Sequence, residues 1–474
     1  MSDGAILDLV TRGRKDAYFI GSTGGSRSYF GADYERRGPS AREIRIVYPE
    51  TGARFGHWVD IELPRTGDVL MSADVRIQMP TWLPPAIAAK NRLKGVDVTI
   101  ESQVWPGNNL HYGWTNGIAN YLIKRWALYA DSVQLVHGWG GFNSWFPDME
   151  TTHAAAPILH ATTGTHNGSD RNIQWNATPP ELVFRVPLVG CQGDGDAGLP
   201  LCALQGQRLY LRFWLASAAE LVESGLFDTV EDASTNRFLP RYERCPAPWG
   251  GRAGVLTEAG ATTTEFRTLQ FYELGQPYLY GRFAILHLDD EGRRALQAKS
   301  QDIVFRQQRR EDFTIEHKDW NPAARFKKQL EIHGFFQALF LQIIGDARLA
   351  QNKYRDITPP DGSDWVMNLS LNVNGVERID FWPPKKFQEL ANNTQFRRDI
   401  EAELYSMVFG VNPDMFPAGT CNLTRTHKVL LAMQLEDVPL DPVSDTNQAE
   451  ATILGLSWNV FHVEGGVGRL LFAG

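Results

Sequence analysis

The sequence predicts an all-β chain built from two antiparallel β sandwiches. Three observations predict it. Apolar and polar residues alternate with a period of two along many segments, as in strands with one buried and one wetted face. Helical patterns are few and short. Long stretches rich in Gly, Thr, Asn, Asp and Pro separate the strands, in a chain with 43 glycines and 26 prolines among 474 residues. A hydrophobic fraction of 43% supports a sizeable core, and 14 tryptophans suit broad β surfaces.

The elements follow in order. Glu43–Tyr48 and Trp58–Leu63 read as strands. In "GDVLMSADVRIQM" the residues Val69, Met71, Ala73, Val75, Ile77 and Met79 share one face, and Asp68, Ser72, Asp74, Arg76 and Gln78 share the other. Ala127–Val136 and Leu182–Val189 are further strands. "QRLYLRFWLA" sets Leu209, Leu211, Phe213 and Leu215 against Arg208, Tyr210, Arg212 and Trp214. Ser217 and Gly225 bracket a short helix as N-cap and stop. Tyr278–Leu288 is a strand. "LDDEGRRALQ" starts acidic and turns basic, as a short helix favours, and it reads as the link between two β domains.

Phe335–Ile343 opens the second domain's clear strands. In "WVMNLSLNVNGVERIDFW" the residues Trp365, Met367, Leu369, Leu371 and Val373 share a face. Asn374-Gly375 then predicts a two-residue hairpin turn, because a type I′ turn needs positive φ at both positions. "QFRRDIEAELY" is a third short helix. Val429, Leu431, Met433 and Leu435 line one side of a strand, and Thr452–Phe461 is another. "GWGGFNSWFPDMETTHAAAP" reads as an aromatic-rich loop.

Candidate chemistry is thin. The net charge is −8, which is no nucleic-acid footprint. His111, His137, His153, His160 and His166 show no HExxH or HxH spacing, so they read as loop or packing histidines. Asp194/Asp196 and Asp289/Asp290 are sequence neighbours. Glycoside hydrolysis needs carboxylates placed across a cleft, so the first pair reads as a glycine-rich loop and the second as an N-cap. The nucleophile elbow is missing. "GSTGGSR" lacks a strand-to-helix context for phosphate. The four cysteines, Cys191, Cys202, Cys245 and Cys421, show no CxxC and read as free thiols, with a Cys191–Cys202 bridge left open. No secretory h-region or membrane-length apolar run occurs. Sequons stand at Asn167, Asn176, Asn368, Asn392 and Asn422, and they matter only if the chain meets glycosylation enzymes. No cofactor or metal is expected.

Several segments, in order, resemble the major capsid proteins of nucleocytoplasmic large DNA viruses, the double jelly-roll family. "GAILDLVTRGRKDAYFIGS" is similar to the family's opening, and "TGDVLMSADVRIQMP" to its "GD" strand. "YGWTNGIANYLIKRWALYADSVQLVHGW" and "GLPLCALQGQRLYLRF" resemble its next two elements. "LHLDDEGRRAL" resembles the connection between its jelly rolls, and "NLSLNVNGVERI" its hairpin. "FPAGTCNLTRT" resembles its Pro-Ser-Gly…Asn…Ser-Arg motif, with Ala418 and Thr424 where serines are usual.

The resemblance implies two consecutive antiparallel eight-stranded jelly rolls, a double jelly roll, with long loops and a few short helices. It sets an N-terminal arm at 1–25, a first jelly roll at 26–295 and a second at 296–474. It implies a structural capsid protein of the virion shell, not an enzyme. It also implies a homotrimer with a pseudo-hexagonal outline that meets neighbouring capsomers, minor capsid and penton proteins, and an internal membrane through those partners. Pro417 and Gly419 are then expected to form a turn. Asn422, Thr424 and Arg425 are expected to bond backbone or a neighbouring loop where a strand begins. The alternative is a cellular β-sandwich protein that binds or cleaves carbohydrate, motivated by the tryptophans and carboxylate pairs.

Overall fold

The structure is a computed structural model. It describes residues 40–80, 112–165, 181–192, 198–224, 276–350, 352–359, 363–387, 404–410, 419–424, 426, 428–436 and 448–472, with residues 389 and 396.

The first barrel begins with β1 (Ser40–Val47), β2 (Trp58–Glu62), β3 (Val69–Gln78) and β4 (Tyr112–Trp114). Helix α1 (Ile118–Leu122) leads into β5 (Ile123–Ala130) and β6 (Val133–Trp139). Helices α2 (Gly140–Glu150) and α3 (Ala156–Thr163) precede β7 (Glu181–Arg185) and β8 (Leu209–Leu215). One helical turn, α4 (Ala218–Leu221), runs into β9 (Val222–Ser224), and β10 (Tyr278–Leu288) closes the barrel. The sheets have the orders β1-β10-β3-β7 and β2-β8-β5-β6, and β4 pairs with β9 apart from them.

Helix α5 (Asp290–Ala298) connects the barrels. Asp289 caps it by accepting from the Gly292 N–H at 2.9 Å, and Asp290 and Glu291 sit in its first turn, where the helix dipole favours them.

The second barrel contains β11 (Gln301–Ile315), β12 (Phe326–Leu330), β13 (Phe335–Gly345), α6 (Asp346–Ala350), β14 (Val366–Val373) and β15 (Val376–Trp382). Then come α7 (Pro384–Lys386), β16 (Tyr405–Val408), β17 (Cys421–Asn422), β18 (Val429–Leu435), β19 (Ala449–Glu464) and β20 (Val467–Leu470). Its sheets have the orders β11-β19-β13-β16 and β12-β18-β14-β15, with β17 added on β13 and β20 on β19. Both barrels therefore route eight strands through two four-stranded sheets in the same order. Strand β1 corresponds to β11, β3 to β13, β10 to β19, and so on around each barrel. That is a jelly roll, repeated.

Each barrel has its own apolar interior. Leu211, Phe213, Phe184, Val75 and Ile77 face inward in the first. Leu371, Leu431, Met433, Leu339 and Ile453 do so in the second. The alternation read from "QRLYLRFWLA" and "VLLAMQL" is the one observed, since Leu209, Leu211, Phe213 and Leu215, and Val429, Leu431, Met433 and Leu435, are all buried.

Other segments differ from expectation. In β3 the inward residue is Leu70 rather than Met71, because a bulge opposite Ala284/Ile285 shifts the alternation. In β14 Val366 replaces Met367 on the core face, with a register shift between Val366 and Asn368. Ala127–Val136 is not one strand but a hairpin, β5 and β6, turned at Asp131 with φ +53°. The helix expected from Ser217 stops after one turn, because Val222–Ser224 pairs with β4. The stretch read as an aromatic loop contains α2 and the start of α3. Phe142, Trp145, Phe146 and Met149 lie at i, i+3, i+4 and i+7, a helical face that the flanking glycines and Pro147 obscured. "QFRRDIEAELY" lies almost wholly outside the described residues.

No helix among the described residues is long and apolar enough to cross a membrane. Cys191, Cys202 and Cys421 are buried free thiols; the Cys191 thiol donates to the Leu70 carbonyl.

Candidate assembly site

The side chains that set the two barrels against each other gather on and around α2. The apolar face of this helix covers the outer face of the β11-β19-β13-β16 sheet. Phe142, Trp145, Phe146 and Met149 form a third core with Ala338, Phe340, Leu454 and Leu456. The rings of Phe146 and Phe340 meet at 6.1 Å, nearly edge to face.

A charged cluster lies beside this core. Asp148, on α2, is almost fully buried and accepts from Arg355 Nη2 at 2.8 Å. Its other oxygen accepts from His160 Nε2 of α3 at 2.7 Å, the ring nitrogen donating because an ionised carboxylate can only accept. Burial pushes the Asp148 carboxyl pKa up. The His160 hydrogen bond and the charge and hydrogen bond of Arg355 more than offset it, so the group sits below the usual carboxylate range. Arg355 also bonds Ser144 and lies 4.6 Å from the Trp145 ring.

More contacts cross the seam. Thr115 Oγ1 donates to the Asn352 carbonyl at 2.6 Å, and Tyr121 stacks on Tyr354 at 4.8 Å. Tyr354 Oη donates to the Glu220 carbonyl at 2.9 Å. Gln192 acts on β11 as a neighbouring strand would: its amide donates to the Arg306 carbonyl at 2.6 Å and accepts from the Arg306 N–H at 2.7 Å. Arg306 pairs with Glu150 of α2. Phe305 and Phe461 of the second barrel enter the first barrel's core. Outside the seam, Asp68 holds the start of the connector, accepting from Leu288 N and from Arg293 Nε, each at 2.7 Å.

Among the described residues, the equivalent sheet of the first barrel, β1-β10-β3-β7, has no such cover. Ile44, Ile46, Tyr48 and Tyr278 stand exposed on its outer face, Ile46 at 51% and Tyr48 at 60%. Tyr48, Tyr278 and Tyr280 form a triangle of rings 5.9 to 6.4 Å apart.

The residues singled out in the sequence lie elsewhere. Asn374 and Gly375 turn between β14 and β15 with φ of +53° and +89°. Asn374 also ties this turn to the start of β18: its N–H donates to the Lys428 carbonyl at 2.9 Å, and its side chain accepts from Lys428 N at 3.1 Å. Gly419 has φ +134°, and Asn422 Oδ1 accepts from Thr424 N at 3.0 Å in a local turn. Pro417 and Arg425 lie outside the described residues, as do Asn167, Asn176 and Asn392. Asn368 bonds Gln434 at 3.1 Å on β14. Sequence reasoning missed Asp148 and Arg355. The helical spacing around Asp148 was the available signal; nothing local marks Arg355.

Among the described residues no three His, Cys, Asp or Glu side chains gather as a metal site. What the arrangement does is hold one barrel against the next.

Fold and seam together define a double jelly-roll protein. No protein-family model matches the chain, and no curated protein matches it in sequence. Solved structures do match. A chain of the PBCV-1 virus capsid, known as a quasi-atomic model, aligns with 94% of this chain and 100% of its own length, at 16% identity and a TM-score of 0.66. The Faustovirus major capsid protein aligns over 92% of each chain at 8% identity and a TM-score of 0.58. A chain of the Sputnik virophage aligns with 95% of this chain and 92% of its own length, at 10% identity and a TM-score of 0.52. The shared property is the fold: two jelly rolls in series over nearly the whole length.

Proposed function

We propose that this protein is the major capsid protein of a virion shell, acting mechanically rather than catalytically. Three copies form a capsomer with a pseudo-hexagonal outline, and capsomers tile an icosahedral shell. Minor capsid and penton proteins meet its edges, and an internal membrane is reached through them. Assembly in a host cytoplasm follows from the same reading.

One observation carries the proposal. Within the chain, α2 between β6 and β7 covers the outer face of the second barrel's β11-β19-β13-β16 sheet. The first barrel's equivalent face carries Ile44, Ile46, Tyr48 and Tyr278 in the open. A second copy is the natural cover, presenting its second barrel to this face as the first barrel presents α2 to the second. Such a contact joins two different surfaces, and a head-to-tail contact of that kind forms a ring when its rotation closes, after three copies in this reading. With two barrels per chain, three copies give six barrels around the ring. An exposed apolar patch of this sort marks an interaction surface. Light scattering of the purified full chain at micromolar concentration tests it. Three chains per particle support the reading; a monomer overturns it.

A further inference from the structure

The second barrel reaches the first through its last hairpin as well as around α2. Phe461 and Val463, on one face of β19, are buried in the first barrel's core, and Leu470 of β20 packs against that core. Gly465 and Gly466 turn the hairpin with φ of +60° and +87°. The Gly466 carbonyl accepts from the Gly206 N–H at 3.0 Å, and the Gly468 N–H donates to Gln207 Oε1 at 2.9 Å. The start of β11, just after the connector α5, pairs with this end of β19.

His462 lies between Phe461 and Val463 and so takes the opposite face of β19. It stands across from Asp302 of β11 on one side and Arg469 of β20 on the other. Its Nδ1 is 2.6 Å from Asp302 Oδ1, and its Nε2 is 3.2 Å from Glu464 Oε2. Arg469 Nη2 lies 3.7 Å from the same Glu464 oxygen. An ionised carboxylate only accepts, so both ring nitrogens have to donate, and only the imidazolium carries two N–H groups. With the ring charged, two cations face two carboxylates. With the ring neutral, one nitrogen turns a lone pair toward a carboxylate, and the group is left with an excess negative charge.

We propose that His462 is a proton-operated latch: charged, it fastens the β19–β20 hairpin against the first barrel, and neutral, it loosens the hairpin. Asp302, Glu464 and Arg469 are the ionisable side chains that face the ring from β11, β19 and β20 among the described residues. Gly206 and Gln207, on the first barrel's side, bring none. The hydrogen bond to Asp302, and then the one to Glu464, raise the His462 pKa above its ordinary value, outweighing desolvation and the Arg469 charge. A raised folded-state pKa gives the sign. The latch is fully fastened below the unfolded value of about 6.5 and is released as pH rises through the higher folded value. Asp302 and Glu464 are both exposed, so water screens the pairs, and the effect is a local opening of the hairpin rather than unfolding of the chain.

Hydrogen exchange of the full chain, read by mass spectrometry from about pH 5.5 to about pH 9 and corrected for the intrinsic exchange rate, tests the latch. Peptides over the β19–β20 hairpin and over Gly206 and Gln207 report the contact. In the wild type their protection is expected to fall at least about threefold as pH rises through the His462 titration, while peptides of β18 keep theirs. His462→Gln cannot be charged and is expected to show low hairpin protection at every pH. His462→Lys keeps a cation throughout and is expected to hold its protection at the alkaline end; it serves alone if His462→Gln does not fold. His57→Gln, an exposed position in the turn before β2, is expected to follow the wild type. Hairpin protection in the wild type that does not change with pH overturns the proposal. So does the same alkaline loss in His462→Gln or His462→Lys.

Discussion

Arg355 reaches Asp148 at 2.8 Å from the other barrel, with side-chain exposures of only 12% and 3%. The two residues are 207 positions apart, so this ion pair exists only when both barrels are folded and docked. A charge pair this dry is weak evidence of net stabilisation, but removing one partner strands the other. It therefore works as a check on docking geometry.

Arg355→Ala is accordingly expected to destabilise the chain by about 3–5 kcal/mol in urea unfolding. Arg355→Met with Asp148→Asn, which removes both charges, is expected to cost less than Arg355→Ala alone. The pH dependence has a definite sign. The folded-state pKa of Asp148 is lowered, so its contribution is present above the unfolded value of about 3.9 and is lost as pH falls through the lower folded value. The stability gap between the wild type and Arg355→Ala should narrow below about pH 4. A gap that is constant from pH 7 to pH 3 would refute this role.

The barrels were largely legible in the sequence and their junction was not. A strand such as β8 keeps a strict period of two because one face is core and the other is not, and β18 keeps its core face in the same period although Ala432 opposite it is buried too. Bulges in β3 and β14 broke that period, and local sequence carries little sign of a bulge. Helix α2 shows the harder case. Its apolar face is helical in spacing, but Gly140, Gly141 and Pro147 weaken the local signal, and packing on Phe340 and Leu454 compensates for it. Arg355 could not be read at all, since its meaning depends on Asp148 in the other barrel.

The turn at Asn374-Gly375 allows a clean backbone test. Gly375 has φ +89°, and a Cβ built there meets nothing within 4 Å. Any cost of substitution is therefore conformational. Gly375→Val is expected to cost at least about 1–2 kcal/mol, the penalty of left-handed backbone for a side chain. Gly375→Asn should cost much less, because Asn tolerates that region. Equal melting temperatures for the two variants would contradict the assignment.

Asp68 is expected to matter more than a surface carboxylate. It is 2% exposed and accepts from the Leu288 N–H and from Arg293. Burial raises its pKa, but the Arg293 and Leu288 hydrogen bonds and the Arg293 charge outweigh this, so its carboxyl is held low. Arg293 is 42% exposed on its side chain, so solvent screens the pair and the Coulomb part is discounted. Asp68→Ala is then expected to cost about 1–3 kcal/mol, mainly from the half-buried Leu288 N–H left without its acceptor. Arg293→Ala should cost less. The reverse order in denaturant melts would show that the ion pair, not the N–H, anchors the connector.

The last prediction concerns the open face of the first barrel. Ile46 and Tyr48 are exposed, and Tyr48 meets the Tyr278 and Tyr280 rings, so Ile46→Glu should leave the monomer's fold and melting nearly intact, within about 0.5 kcal/mol as for surface sites, and Tyr48→Glu should cost somewhat more through the lost ring contacts. Their effect should fall on association. A carboxylate placed in an apolar interface must lose its water without a partner, which costs several kcal/mol and should shift the proposed trimer toward monomer. Phe340→Ala provides the contrast. It empties part of the third core inside one chain and should cost about 3–5 kcal/mol of folding stability before association is reached. Light scattering and melting on the same samples separate the two effects. If Ile46→Glu remains trimeric at micromolar concentration, the β1-β10-β3-β7 face is not the contact between copies.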